Sequence, residues 1–135
     1  MWTGIRINTD GSLATVEIDD ATPALQAGSI NEAIGSQWYD VLPFGYSLGI
    51  FTADEDGQRR FPLNVELSVM VRATSSGKSP LVYGPGIFLG INEETGETFS
   101  LTNEDAATIV TMWRRPRAAY EYDAVRASAG LALTA

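Results

Sequence analysis

The stretch Phe61-Pro62-Leu63-Asn64-Val65-Glu66-Leu67-Ser68-Val69-Met70-Val71 decides how the rest of the chain is assembled. Leu63, Val65, Leu67, Val69 and Val71 alternate with other residues, five matches to a period of two, and this predicts a β-strand over 61–71. Met70 lies beside Val69 and spoils the alternation, so a short helix after Asn64 is the other reading.

Upstream of this stretch, Ile5 and Ile7, then Leu13, Val16 and Ile18, predict two short strands joined at Asp10-Gly11, a strong hairpin signal. Thr22 followed by Pro23 starts a helix over 22–35. Gly28 is expected to break it, with Ser29 and Glu32 as a second cap and Gly35 as the stop. Residues 38–51 read as a strand, a bend at Pro43 and Gly45, and a second strand, and Asp54-Glu55-Asp56-Gly57 as a charged turn. Downstream, 74–80 form a loop, 81–91 a glycine-containing strand, and 93–97 a turn. Thr102-Asn103-Glu104-Asp105 opens a helix over 103–115, with Ala106, Ile109, Val110 and Trp113 on one face. Pro116 ends it. The alanine-rich tail continues as helix through Val125 and frays at its end.

Irregular succession of helices and strands argues against a doubly wound parallel sheet. The expected fold is one α+β domain over 1–115: an antiparallel or mixed sheet of five to seven short strands with two main helices. Residues 116–135 form a partly helical extension. The expected core is Trp38, Tyr39, Val41, Leu48, Ile50, Leu67, Val69, Ile87, Leu89, Ile109 and Val110.

With 135 residues the chain suits one domain. Hydrophobic residues are 44%, and the mean hydropathy is -0.03. The longest apolar run, 83–91, is far short of the roughly 20 residues of a membrane helix, and no signal-peptide pattern opens the chain, so a cytoplasmic location is expected. Cysteine and histidine are both absent, which removes thiol nucleophiles, disulfides, imidazole bases and Cys/His zinc sites. Asp and Glu number 17 against 9 Lys and Arg, a net charge of -8. A typical chain of this length carries about 17 charges of each sign, so the acids are ordinary and the bases depleted. Low positive charge argues against direct binding to nucleic acid or to anionic membrane.

No familiar catalytic motif survives inspection. Gly77-Lys78-Ser79 resembles the end of a phosphate-binding loop, but the first glycine of that motif is replaced by Arg72. Ser75 and Lys78 have serine–lysine spacing without companion motifs. Gly84, Gly86 and Gly90 miss the dinucleotide spacing by one residue, and a strand follows where a helix is needed. Asp54–Gly57 would make a calcium loop whose twelfth ligand is Leu63. No cofactor, catalytic residue or metal ligand is assigned. The interface-like part of the chain is instead its C-terminal region, where Trp113, Arg114, Arg115, Arg117, Tyr120, Tyr122 and Val125 are the candidate interaction residues, either for a partner or for a second copy.

Leu25-Gln26, Tyr39-Asp40-Val41-Leu42, Asp54-Glu55-Asp56-Gly57, Pro62-Leu63-Asn64, Tyr83-Gly84 and Ile87-Phe88-Leu89-Gly90 together resemble an uncharacterised domain family of actinobacterial phages, plasmids and other mobile elements. The resemblance spans roughly residues 12–101. Where that family has a small-residue helix after its Pro-x-Asn turn, this chain has Val65-Glu66-Leu67-Ser68-Val69, which leans toward strand. The resemblance implies a small accessory protein acting inside a bacterial cell. The leading expectation is a non-enzymatic protein that binds a host protein. A second is an acidic DNA mimic, which requires Asp54, Asp56, Glu93, Glu94 and Glu97 to share one face. A third is a hydrolase using a carboxylate pair and a divalent metal.

Overall fold

Asn64 settles the undecided stretch. In the computed structural model, which describes residues 1–74 and 80–131, its side-chain oxygen accepts a hydrogen bond from the Leu67 N–H at 3.0 Å and caps a helix. Its amide nitrogen donates to the carbonyls of Ile7 and Gly84, each at 3.0 Å, so all of this fully buried side chain is used. Residues 61–71 are therefore not a strand: α3 runs Val65–Thr74. Leu67, Ser68, Val69, Met70 and Val71 are all buried, and a helix enclosed on nearly every side has no polar face to display a 3.6-residue period. The alternation of valines and leucines was a coincidence of composition.

Six strands form one antiparallel sheet in the order β2-β1-β5-β4-β3, with β6 beside β5. They are β1 (Trp2–Ile7), β2 (Leu13–Ile18), β3 (Tyr39–Phe44), β4 (Leu48–Ala53), β5 (Gly86–Ile91) and β6 (Thr98–Phe99). Strands β1 and β2 form one hairpin and β3 and β4 another, and β5 joins the two. Both faces are covered. Ile5, Ile7, Phe44, Ile50 and Phe88 point to one face, where they meet Leu67 and Met70 of α3 and Ile109 of α4 (Asn103–Arg114). Ile18, Phe51, Ala53, Ile87 and Leu89 point to the other and meet Ile30 and Ile34 of α1 (Pro23–Ile34). Burial on both sides explains why Ile87-Phe88-Leu89 is apolar without alternation. Gly86 lets α3 lie close on the sheet, since a side chain there would collide with Leu67.

The α+β architecture agrees with the sequence; several elements do not. Helix α1 is continuous through Gly28, and Ser29 is no cap, because its hydroxyl accepts from the Asp19 N–H at 3.0 Å. The charged turn is a short helix, α2 (Glu55–Gln58), capped by Asp54 on the Gly57 N–H at 2.9 Å. The strand expected over 81–91 is confined to β5, while Tyr83 makes a single bridge with Leu63. Among the described residues four helices have ten or more residues rather than two, because α3 replaces a strand and the tail forms α5 (Ala119–Ser128). Trp38 and Val41 do not belong to the core: they are 64% and 41% exposed. Val41 sits on the outermost strand, and Trp38 just precedes it. The Ser75–Lys78 and Gly77-Lys78-Ser79 motifs lie outside the described residues. Among the described residues no helix is long and apolar enough to cross a membrane.

Candidate functional site

Most of the C-terminal candidate residues are used inside the molecule. The Trp113 indole N–H donates to the Gly11 carbonyl at 2.8 Å, tying α4 to the first hairpin. The Arg117 side chain is 2% exposed; it forms an ion pair with Glu66 of α3 and donates to the Met112 carbonyl at 2.9 Å. The Tyr122 hydroxyl donates to the other Glu66 oxygen at 3.3 Å. Val125 is 1% exposed and packs with Leu63 and Val69. Arg115 pairs with Glu121 at 3.0 Å. Glu121 also accepts from the Ala118 N–H at 2.9 Å, and that bond first, then Arg115, holds its carboxyl below the ordinary glutamate range. Arg114, Arg115 and Tyr120 remain exposed, Tyr120 at 74%. Residues 116–131 thus cover α3, and only a fragment of the expected interaction patch faces solvent.

A different concavity lies where β3, α2 and the approach to β5 converge. It encloses about 450 Å³ and is lined by Asp40, Glu55, Gln58, Arg59, Phe61 and Tyr83. Its walls are fixed from below. Gln58 donates to the Ala53 carbonyl at 2.9 Å and accepts from the Tyr83 N–H at 3.3 Å, satisfying both ends of its amide. Phe61 lies against Gly84, whose φ is +85°, and a side chain there would come within 2.7 Å of the ring. Tyr83 is half-buried against the cluster of Leu63, Val69 and Val125. The Trp38 carbonyl accepts from the Asp54 N–H at 3.2 Å, which ties the start of β3 to the start of α2. Arg59 reaches Glu55 at 3.7 Å and Asp56 at 3.8 Å on the exposed side of α2. The Asp40 carboxylate, exposed on β3, has no hydrogen-bond or ion-pair partner among the described residues.

This groove was invisible as a site in the sequence because its residues come from three separated segments.

The acidic residues are not gathered in the same way. Asp54 and Asp56 follow the end of β4, and Glu93, Glu94 and Glu97 follow the end of β5. Because β4 and β5 are antiparallel, the two groups lie at opposite ends of the sheet, a strand length of about 20 Å apart. Among the described residues no three Asp or Glu side chains are placed to hold a metal ion. Comparison with protein-family models, curated proteins and solved structures finds no match for this chain.

Proposed function

We propose that this chain is a small accessory protein of a phage or other mobile element that works inside a bacterial cell by binding a host protein, not by catalysis. The observation that carries the reading is Trp38, a tryptophan left 64% exposed two residues before Asp40, which lines the groove. Tryptophan is the side chain that most often anchors protein interfaces, because it buries much area at small entropic cost. Folding leaves this one unburied although the chain has a two-faced core to hide it in. The DNA-mimic alternative loses support from the division of its five acids between two ends of the sheet.

Affinity capture from actinobacterial lysate, read by mass spectrometry, tests the reading with two variants beside the native protein. Trp38→Ala is expected to lose the captured host protein, while Tyr120→Ala, an exposed aromatic elsewhere, retains it. Capture unaffected by Trp38→Ala, or no reproducible species at all, overturns the proposal.

A further inference from the structure

We infer that the groove lined by Asp40 takes an arginine or lysine side chain presented by a basic segment of the partner. The inference rests on the host-binding reading and names the chemistry of its partner. Three features converge on a cation. Asp40 offers a carboxylate with no partner among the described residues, standing at the groove wall. Phe61 and Tyr83 line the same space, and the negative face of an aromatic ring attracts a guanidinium or ammonium group. The groove's own cation, Arg59, pairs loosely with Glu55 and Asp56 on the exposed side of α2 and makes no ion pair with Asp40 among the described residues. A net charge of -8 adds a long-range field that draws basic segments and repels acidic ones.

A peptide fits better than a small cation. The groove of about 450 Å³ is walled on one side by Asp40 of the edge strand β3, so a peptide lying along β3 can reach in with one side chain. Trp38 and the exposed Val41 then supply apolar contact to the residues flanking the inserted one.

The test is amide and indole NMR of the full chain, titrated with a short Gly-Ser peptide carrying a central Arg-Arg pair, at physiological salt. The same peptide with citrulline in place of arginine keeps shape and removes charge. Expected are shifts confined to Asp40, Arg59, Tyr83 and the Trp38 indole, absent with citrulline, and weakened about fivefold by Asp40→Asn but not by Glu104→Gln. Shifts spread over all acidic surfaces, equal weakening by the two variants, or no groove shifts overturn the inference. Lysate capture distinguishes the two proposals. Capture that needs Trp38 but survives Asp40→Asn overturns the cation site and leaves host binding standing. Arginine-dependent shifts in the groove without any Trp38-dependent capture support the cation site and overturn the host-binding reading.

Discussion

Without the Arg117 guanidinium, Glu66 would be a largely buried carboxylate with only the Tyr122 hydroxyl beside it. Removing one member of a buried pair costs more than the pair contributes, because the surviving charge is stranded. Arg117→Ala is therefore expected to lower stability by about 3 kcal/mol in urea denaturation, while the double variant Glu66→Met/Arg117→Met recovers most of the loss. Equal loss in the single and double variants would show that the arginine acts through packing alone. Arg117 was legible in the sequence as a charge but not as a buried one. Its partner sits on a helix that the sequence favoured as a strand, and no local pattern reports a contact between residues so far apart. The neighbouring Asn64 shows the same limit from the other side: its capping bond to Leu67 is local and readable, whereas its bonds to Ile7 and Gly84 are not.

Among the elements, those with polar caps and one solvent-facing side were readable, and those enclosed by neighbours were not. Helix α4 follows Thr102, whose hydroxyl accepts from the Asp105 N–H at 3.0 Å, and Ile109 faces the core as its spacing required. Helix α3 has no such side. Helix α5 was seen only in outline, because Ala118 has no side-chain acceptor and Glu121 alone supplies the reciprocal half of a capping pair. That arrangement makes α5 sensitive to acid. The Glu121 carboxyl titrates below its ordinary 4.5, so its contribution is complete above that value and lost as pH falls through the lowered one. NMR titration is expected to show Glu121 protonating below the ordinary glutamate value, with the Ala118 amide shifting in step. Glu121→Gln should remove the pH dependence of that amide. Truncation after Arg115 removes Arg117, Tyr122 and Val125 together, exposing Leu63 and Val69. Loss of the cooperative thermal transition is expected; a truncated chain that melts as the native one does would show that α5 is an appendage.

For the molecule as a whole, composition and element succession sufficed for an α+β domain with an antiparallel sheet, and they failed on which surface is left over. The C-terminal aromatics and arginines looked free because interface residues and core residues share a chemistry. Burial, set by the whole fold, decides between them: it consumes Trp113, Arg117 and Val125 and spares Trp38.

The central place of β5 has a further consequence, for the order in which the chain acquires its shape. Each hairpin closes over a few residues, but Ile5 pairs with Phe88, so the first hairpin waits for its second neighbour until β5 has been made. Until β5 arrives, the nascent chain carries two separate ribbons, each with an unpaired edge, and such ribbons are marginal by themselves. The commitment to fold belongs to β5. Stopped-flow measurements on Phe88→Leu are expected to show slower folding, with half or more of the lost stability in the folding rate, whereas Val16→Ala in the first hairpin should act mainly on unfolding. A chain that finishes its sheet this late spends its synthesis exposed to whatever else is in the cell.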